Sequence, residues 1–232
     1  MERNFSALKQ RLKTDDMARH GTTMVVFTML SSFFVYIYQL AMGALLTPAQ
    51  YGTLLSLLSL FAIVSVFSQT IQTSVTKFTS RFKVQDRLGG IKYLWKFSVK
   101  RTLLLGTAMF LVLAALSPLI SGFLNIDNNW YFILLFSALI LYFTIPTNLG
   151  ILQGLQRFIP LGFSHAVVNF LRLAIGVLLV YLGFGVYGAL LGIPLGILIG
   201  FIVSLSFIRD VARAKNERVE VRGLFTLSLI HI

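Results

Sequence analysis

Long apolar runs separated by short polar or basic connections dominate the chain. Six of them, at about 21–46, 53–76, 102–123, 130–153, 163–184 and 187–208, have the length of membrane-crossing helices, since a hydrocarbon core about 30 Å thick takes about 20 helical residues. Strand-like alternation is absent, which argues against a β-barrel. Pro118, Pro146 and Pro194 lie inside these runs. They would punctuate a soluble helix, but a membrane span tolerates them because neighbouring helices satisfy the freed backbone groups. The pattern predicts an all-α, polytopic membrane protein with a six-helix bundle.

The two ends of the chain differ from the middle. "MERNFSALKQRLKTDDMARH" is too long and too mixed in charge for a cleaved leader, and the apolar run after it exceeds a signal-peptide core, so the first span is read as uncleaved. Phe5, Leu8 and Leu12 recur at helical spacing. A short helix on the membrane surface and a basic tail both fit that segment. At the other end, "GLFTLSLIHI" begins a new apolar run that stops after about ten residues, too short to span. It is read as the start of a cut-off seventh helix, or else as a tail against the membrane. The expected division is a cytoplasmic segment 1–20, a transmembrane lobe 21–208, a cytoplasmic basic loop 209–222 and the seventh-helix start 223–232.

Composition agrees. Hydrophobic residues make up 56% of the chain and charged residues 12%, with a mean hydropathy of +0.82. A soluble domain carries roughly twice that charge. The net charge of +12 does not point to nucleic acid, because the basic residues fall in short blocks between apolar runs. The chain has no Cys, which excludes disulfides, Cys-ligated zinc and thiol chemistry. No cofactor and no metal are expected.

The basic residues also give a direction. Five lie in 1–20; Lys77, Arg81, Lys83, Arg87, Lys92, Lys96, Lys100 and Arg101 surround the second connection; Arg157 is in the fourth; Arg209, Arg213, Lys215, Arg218 and Arg222 follow the sixth span. The connections "LTPAQYG", "SGFLNIDNN" and "LGFGVYG" have none. By the positive-inside rule the N-terminus is cytoplasmic and "TPAQYG" is an outside turn, with Pro48 breaking the helix and Tyr51 at the interface. Residues 81–101 are expected to form a basic loop. Gly89 and Gly90 would break the chain there, and Tyr93, Trp95 and Phe97 interleave with Lys92, Lys96 and Lys100 as in a headgroup layer. "YGTLLSLLSLF" from Tyr51 and "YGALLGIPLGI" from Tyr187 suggest one hairpin geometry used twice.

Polar residues inside the spans are the candidate site. His165, Asn169 and Arg172 share one face of the fifth span. Arg172 lies about 15 Å into it, where a cation must face protein or a wet cavity, and its guanidinium suits bidentate phosphate contact. Snorkelling, or pinning a helix carbonyl, is the other reading of Arg172. His165 is read as structural. Ser65, Gln69, Gln72, Thr76 and Ser80 form a stripe on the second span with Lys77 beside it. Cavity wall and interhelical glue both fit this stripe. Thr28, Ser32, Tyr36 and Gln39 on the first span, and Ser137, Thr144 and Asn148 on the fourth, are assigned to helix packing. No Asp or Glu lies in any of the six spans. A proton- or sodium-coupled cation exporter usually has one, so the absence favours an anionic cargo.

Several of these segments resemble a known superfamily. "TPAQYG" resembles the G-P-x-x-Y-G turn of the multidrug/oligosaccharidyl-lipid/polysaccharide exporters, departing from it with Thr47 in the Gly position and Gln50 where an acidic residue is common. "VTKFTSRF" (75–82) resembles the basic end of that family's second helix, "LQGLQRF" (152–158) its fourth-helix exit, and "LRLAIGVLLVYLGFGVYGALLG" (171–192) its fifth-to-sixth hairpin. The resemblance covers roughly 15–215 and is greatest to the polysaccharide transporter branch, the flippases of lipid-linked sugar repeat units. It implies one lobe of a two-lobe transporter in the cell membrane, which does no covalent chemistry and rocks about a central site. The implied partners are a polyprenyl-diphosphate-linked oligosaccharide, membrane lipids and a C-terminal lobe of the same chain. Arg172, Asn169, Gln69, Gln72 and Lys77 would bind the substrate. A drug or cation antiporter of the same fold is the alternative. A membrane glycosyl- or acyltransferase fits less well, because His20, His165 and His231 are scattered with no paired carboxylates nearby. A six-span scaffold without transport activity is a further alternative, which the polar stripes disfavour.

The topology is testable because the chain carries no Cys of its own. A Cys at Gln50 should react with an impermeant thiol reagent from outside the cell, and one at Gln85 only after the inner face is opened. The reverse pattern would overturn the orientation.

Overall fold

The computed structural model describes residues 2–126, 128–215 and 217, with side chains from residue 21 onward. The expected seventh-helix start at 223–232 lies outside the described residues. The elements are α1 (Glu2–Leu45), α2 (Pro48–Val84), α3 (Leu88–Leu124), α4 (Trp130–Tyr142), α5 (Ile145–Gly154), α6 (Phe158–Leu179), a π-type turn (Val180–Phe184), α7 (Gly185–Phe207) and α8 (Arg209–Arg213). No strand occurs among the described residues.

Five stretches are long and apolar enough to cross a membrane, and the last, Phe158–Phe207, is 50 residues long. It is two spans. Gly183 at φ 92° and Gly185 at φ 51° take positive-φ conformations that cost glycine little, and the helix reverses there. Beyond them α7 runs antiparallel to α6 at backbone contact. A Cβ at Gly192 would lie 2.7 Å from the Arg172 carbonyl oxygen, and one at Gly196 would lie 2.9 Å from that of Val168. The polytopic, all-α membrane fold and its six spans are therefore as expected.

Within that frame the boundaries differ. Residues 2–20 are helical and continuous with the first span in α1. The expected loop at 81–101 is almost wholly helix. Only Gln85–Arg87 turn, and Asp86 takes φ 52°. Gly89 and Gly90 do not break the chain. A Cβ at Gly89 would meet the Lys215 carbonyl oxygen at 2.6 Å, so this glycine admits a neighbouring segment at close range. The fourth span is interrupted at Phe143–Thr144. Pro146 has no N–H for the helical ladder, and bonds from Thr144 N to Leu141 O (2.9 Å) and from Thr147 N to Thr144 O (3.0 Å) tighten the backbone around the break. Pro118 and Pro194 are carried within α3 and α7.

The two echoing "YG" segments do not share a turn. Thr47 caps α2. Its Oγ1 accepts from Gln50 N (3.4 Å) and its N donates to Gln50 Oε1 (3.2 Å), a closed capping box. The α6–α7 hairpin relies on positive-φ glycines instead. Gln50, the departure from the superfamily pattern, is the residue that closes the box.

The basic connections gather at one end of the bundle. Arg157 donates to Asp210 (2.9 Å, Nη1 to Oδ1) and to the Phe207 carbonyl (2.9 Å). Lys92 donates to the Ala214 carbonyl (2.7 Å), and Lys83 to that of Leu155 (3.0 Å). Arg87 pairs with Glu217. At the opposite end Asn128 donates to the Tyr187 hydroxyl (2.7 Å). Hydrogen bonding to Arg157 holds the Asp210 carboxyl below the ordinary carboxylate range. The stabilisation is therefore complete at neutral pH and is lost as pH falls through the folded carboxyl's pKa. Both partners are more than a third exposed, so it amounts to about 0–1 kcal/mol.

Close helix contact should make Gly192 intolerant. Gly192→Ala should lower the thermal stability of the detergent-solubilised protein by about 1–3 kcal/mol, whereas Gly52→Ala, with open space around its Cβ, should not. Equal melting of the two variants would contradict the packing.

Candidate functional site

Polar side chains in the spans fall into two groups, those paired inside the bundle and those that line open space. Asn148 accepts from Trp95 Nε1 (3.0 Å) and donates to Ser204 Oγ (3.0 Å), joining α3, α5 and α7. Thr144 and Ser137 bond back to their own helix. The packing role expected for the fourth-span set is what the structure shows. In the α2 stripe, Gln72 Nε2 donates to Gln153 Oε1 (3.0 Å), Thr76 reaches the same oxygen (3.3 Å), and Ser80 donates to the Gly154 carbonyl (3.3 Å). Gly150 and Gly154 let α5 come this near, since a Cβ at Gly150 would sit 2.8 Å from the Gln72 carbonyl oxygen. The lower half of the stripe is glue, and Gln153 is a member that the sequence pattern did not single out.

The upper half is a cavity wall. Ser68, Gln69 and Gln72 face His165 and Asn169 of α6 across a cavity of about 200 Å³. Tyr142, Pro146 and Leu149, on either side of the break in the fourth span, close its back. The Gln69 side chain is exposed and has no hydrogen-bond partner among the described residues. Asn169 Nδ2 bonds only to the His165 carbonyl of its own helix (3.2 Å).

A second space opens between α1 and α6. This groove of about 520 Å³ is lined by Thr28, Ser31, Ser32, Tyr36 and Gln39 on one side and by Gly162, His165 and Asn169 on the other. Of the set expected to pack, Gln39 does, accepting from the Tyr51 hydroxyl of α2 (3.4 Å), and Thr28 bonds back to the Met24 carbonyl (2.8 Å), while all four of Thr28, Ser32, Tyr36 and Gln39 also line this groove. Thr28, Ser32 and Tyr36 are exposed, because α1 leans mainly on α6 and barely touches α2. The buried Ser31 Oγ has no partner. His165 and Asn169 line both spaces. The structural reading of His165 thus understates its position, and the i, i+4 spacing of His165 and Asn169 was the signal for it.

Arg172 stands apart. It lines neither space. Its guanidinium carbon sits 4.3 Å from the centre of the Tyr38 ring, a cation–π contact. The fully buried Tyr38 in turn donates from its hydroxyl to the Ala189 carbonyl (3.0 Å). Arg172 Nε is buried without a hydrogen-bond partner. The partner in this structure is therefore an aromatic face on α1, not a helix carbonyl. Lys77 is exposed and lines neither space. Of the five candidates the structure brings Gln69, Gln72 and Asn169 together, leaves Arg172 one turn away on α6, and leaves Lys77 apart on α2.

No family model matches the chain, and no curated protein matches it. Solved structures do. The chain is similar to a MOP superfamily transporter from Pyrococcus furiosus (15% identity, TM-score 0.73, covering 91% of this chain and 49% of that one). It is also similar to a MATE protein in complex with Br-NRF (16%, 0.73, covering 91% and 50%) and to an outward-facing multidrug resistance MATE transporter of the MOP superfamily (16%, 0.66, covering 90% and 50%). At such identity the likeness shows the fold alone. The chain spans about half the length of the structures it matches, and what it shares with them is the fold of that half.

Proposed function

We propose that the chain is one lobe of a membrane transporter of the MOP superfamily that moves a polyprenyl-diphosphate-linked oligosaccharide across the cell membrane by alternating access, with the N-terminus cytoplasmic. The observation that carries this reading is the set of polar side chains that line open space at membrane depth: Gln69 and His165, which have no side-chain partner among the described residues, and Asn169, bonded only to its own helix, about the inner cavity, with Ser31 and Ser32 unpaired and Thr28 bonded only to its own helix along the α1 groove. Polar groups in hydrocarbon are costly unless satisfied, and amides and hydroxyls of this kind match sugar hydroxyls. No carboxylate lines either space among the described residues, which suits an anionic cargo. Gln69, Gln72 and Asn169 would hold the sugar, Arg172 the diphosphate at mid-span, and Lys77 the diphosphate on entry. The rest of the lobe, 21–208, serves as the frame.

A drug antiporter of the same fold is the second reading. Phe27 and Tyr36 in the α1 groove favour it, as a surface for a flat apolar compound. A shared fold does not decide between cargoes. The pocket of the Pyrococcus furiosus transporter, for one, is described as of reverse polarity, suggesting a different function.

The two readings separate in proteoliposomes holding the full-length protein, assayed for flipping of a fluorescent lipid-linked oligosaccharide and for drug efflux. Arg172→Ala should lower flipping about tenfold or more with membrane insertion intact. Arg172→Lys should keep part of it, and Arg172→Gln should behave as Ala. Tyr38→Phe, which keeps the ring, should insert normally. Full flipping by a well-inserted Arg172→Ala protein would remove the phosphate role. Efflux without flipping would establish the antiporter.

A further inference from the structure

The α3 helix carries a feature that the transport reading does not use. It is 37 residues long, about 55 Å, against a hydrocarbon core of about 30 Å. Its apolar part begins after Arg101 and runs to the turn at Asn125, so the excess length lies at the basic end. Lys100 and Arg101 then stand at the edge of the hydrocarbon, at the depth of lipid phosphates.

At this level α3 carries an open groove of about 530 Å³ lined by Phe97, Lys100, Arg101, Leu103, Leu104 and Thr107. Its chemistry changes along the helix axis. Lys100 and Arg101 are exposed at one end, with Arg101 held 5.2 Å over the Phe97 ring. Leu103 and Leu104 are exposed below them. The α3 sequence holds no Asp or Glu, so nothing on the helix neutralises the pair. Lys92, two turns up, is occupied by the Ala214 carbonyl, which separates a structural lysine from the two that face the groove.

We infer that this groove binds an anionic diacyl phospholipid of the leaflet at the basic end. The phosphate sits on Lys100 and Arg101, and the acyl chains lie along Leu103 and Leu104. Arg101, braced by Phe97, supplies planar donors to the phosphate, and Lys100 adds a point charge. The apolar half of the groove is what a free phosphate would leave unused.

Native mass spectrometry of the full chain, equilibrated with equimolar phosphatidylglycerol and phosphatidylcholine, tests this. The wild type should retain phosphatidylglycerol preferentially. Lys100→Gln/Arg101→Gln should lose that preference by about fivefold per charge removed. Arg81→Gln/Arg209→Gln, which removes equal charge elsewhere at the same end, should keep it. Millimolar glycerol phosphate should not displace the lipid. Unchanged preference in the groove variant, an equal loss in the control variant, or displacement by glycerol phosphate would each overturn the site. A matching melting curve for wild type and groove variant excludes misfolding as the cause of a loss, and Arg101→Lys should hold an intermediate preference.

Discussion

A polar side chain inside hydrocarbon must find a partner in the bundle or face water, and this constraint organises the molecule. Asn148 is held between Trp95 and Ser204, Gln72 meets Gln153, and Tyr38 reaches the Ala189 carbonyl. Each of these bonds ties two spans together. Helix contact at the glycines brings the partners within reach, as where Gly150 admits the Gln72 backbone. Some polar side chains are buried without a partner elsewhere in the bundle, as Ser98 of α3 and Thr147 of α5 are. Those that line open space lie on the facing sides of α1, α2 and α6 and make up the candidate site.

The edge formed by α1 and α6 is the least finished part of the fold. α1 rests chiefly on α6, and its polar face is open. His165 and Asn169 stand at the partition between the open groove and the inner cavity. Arg172, stacked on Tyr38, couples α6 to α1 just beyond this partition.

Much of the fold was legible in the apolar pattern, because span length and charge placement are set by the bilayer itself. What the pattern missed had local causes. The second connection is rich in Lys and Gly, yet α2 and α3 continue through it, since the helices extend past the hydrocarbon, where Ala214 supplies a carbonyl to Lys92, Leu155 supplies one to Lys83, and Lys215 and Glu217 lie against Gly89. Pro146 and Pro194 look alike in sequence, but one interrupts its span and the other does not. The site was half legible. The face shared by Gln69 and Gln72 follows from helical periodicity, but periodicity cannot tell which members of a stripe meet a neighbour. Gln72 had a partner only because Gln153, on a distant segment, lies opposite it. The aromatic partner of Arg172 could not be read at all, as it depends on how α1 lies across α6.

The central claim is that the space beside Gln69 is an aqueous cargo site. The direct measurement is the rate at which a Cys placed at Gln69 in the full-length protein reacts with a water-soluble thiol reagent, with and without lipid-linked oligosaccharide. A Cys at the exposed, apolar Val66 serves as reference. The account predicts that the Gln69 position reacts much faster than the Val66 position and that the oligosaccharide slows it. A rate no faster than at Val66, or one that the cargo leaves unchanged, would contradict it.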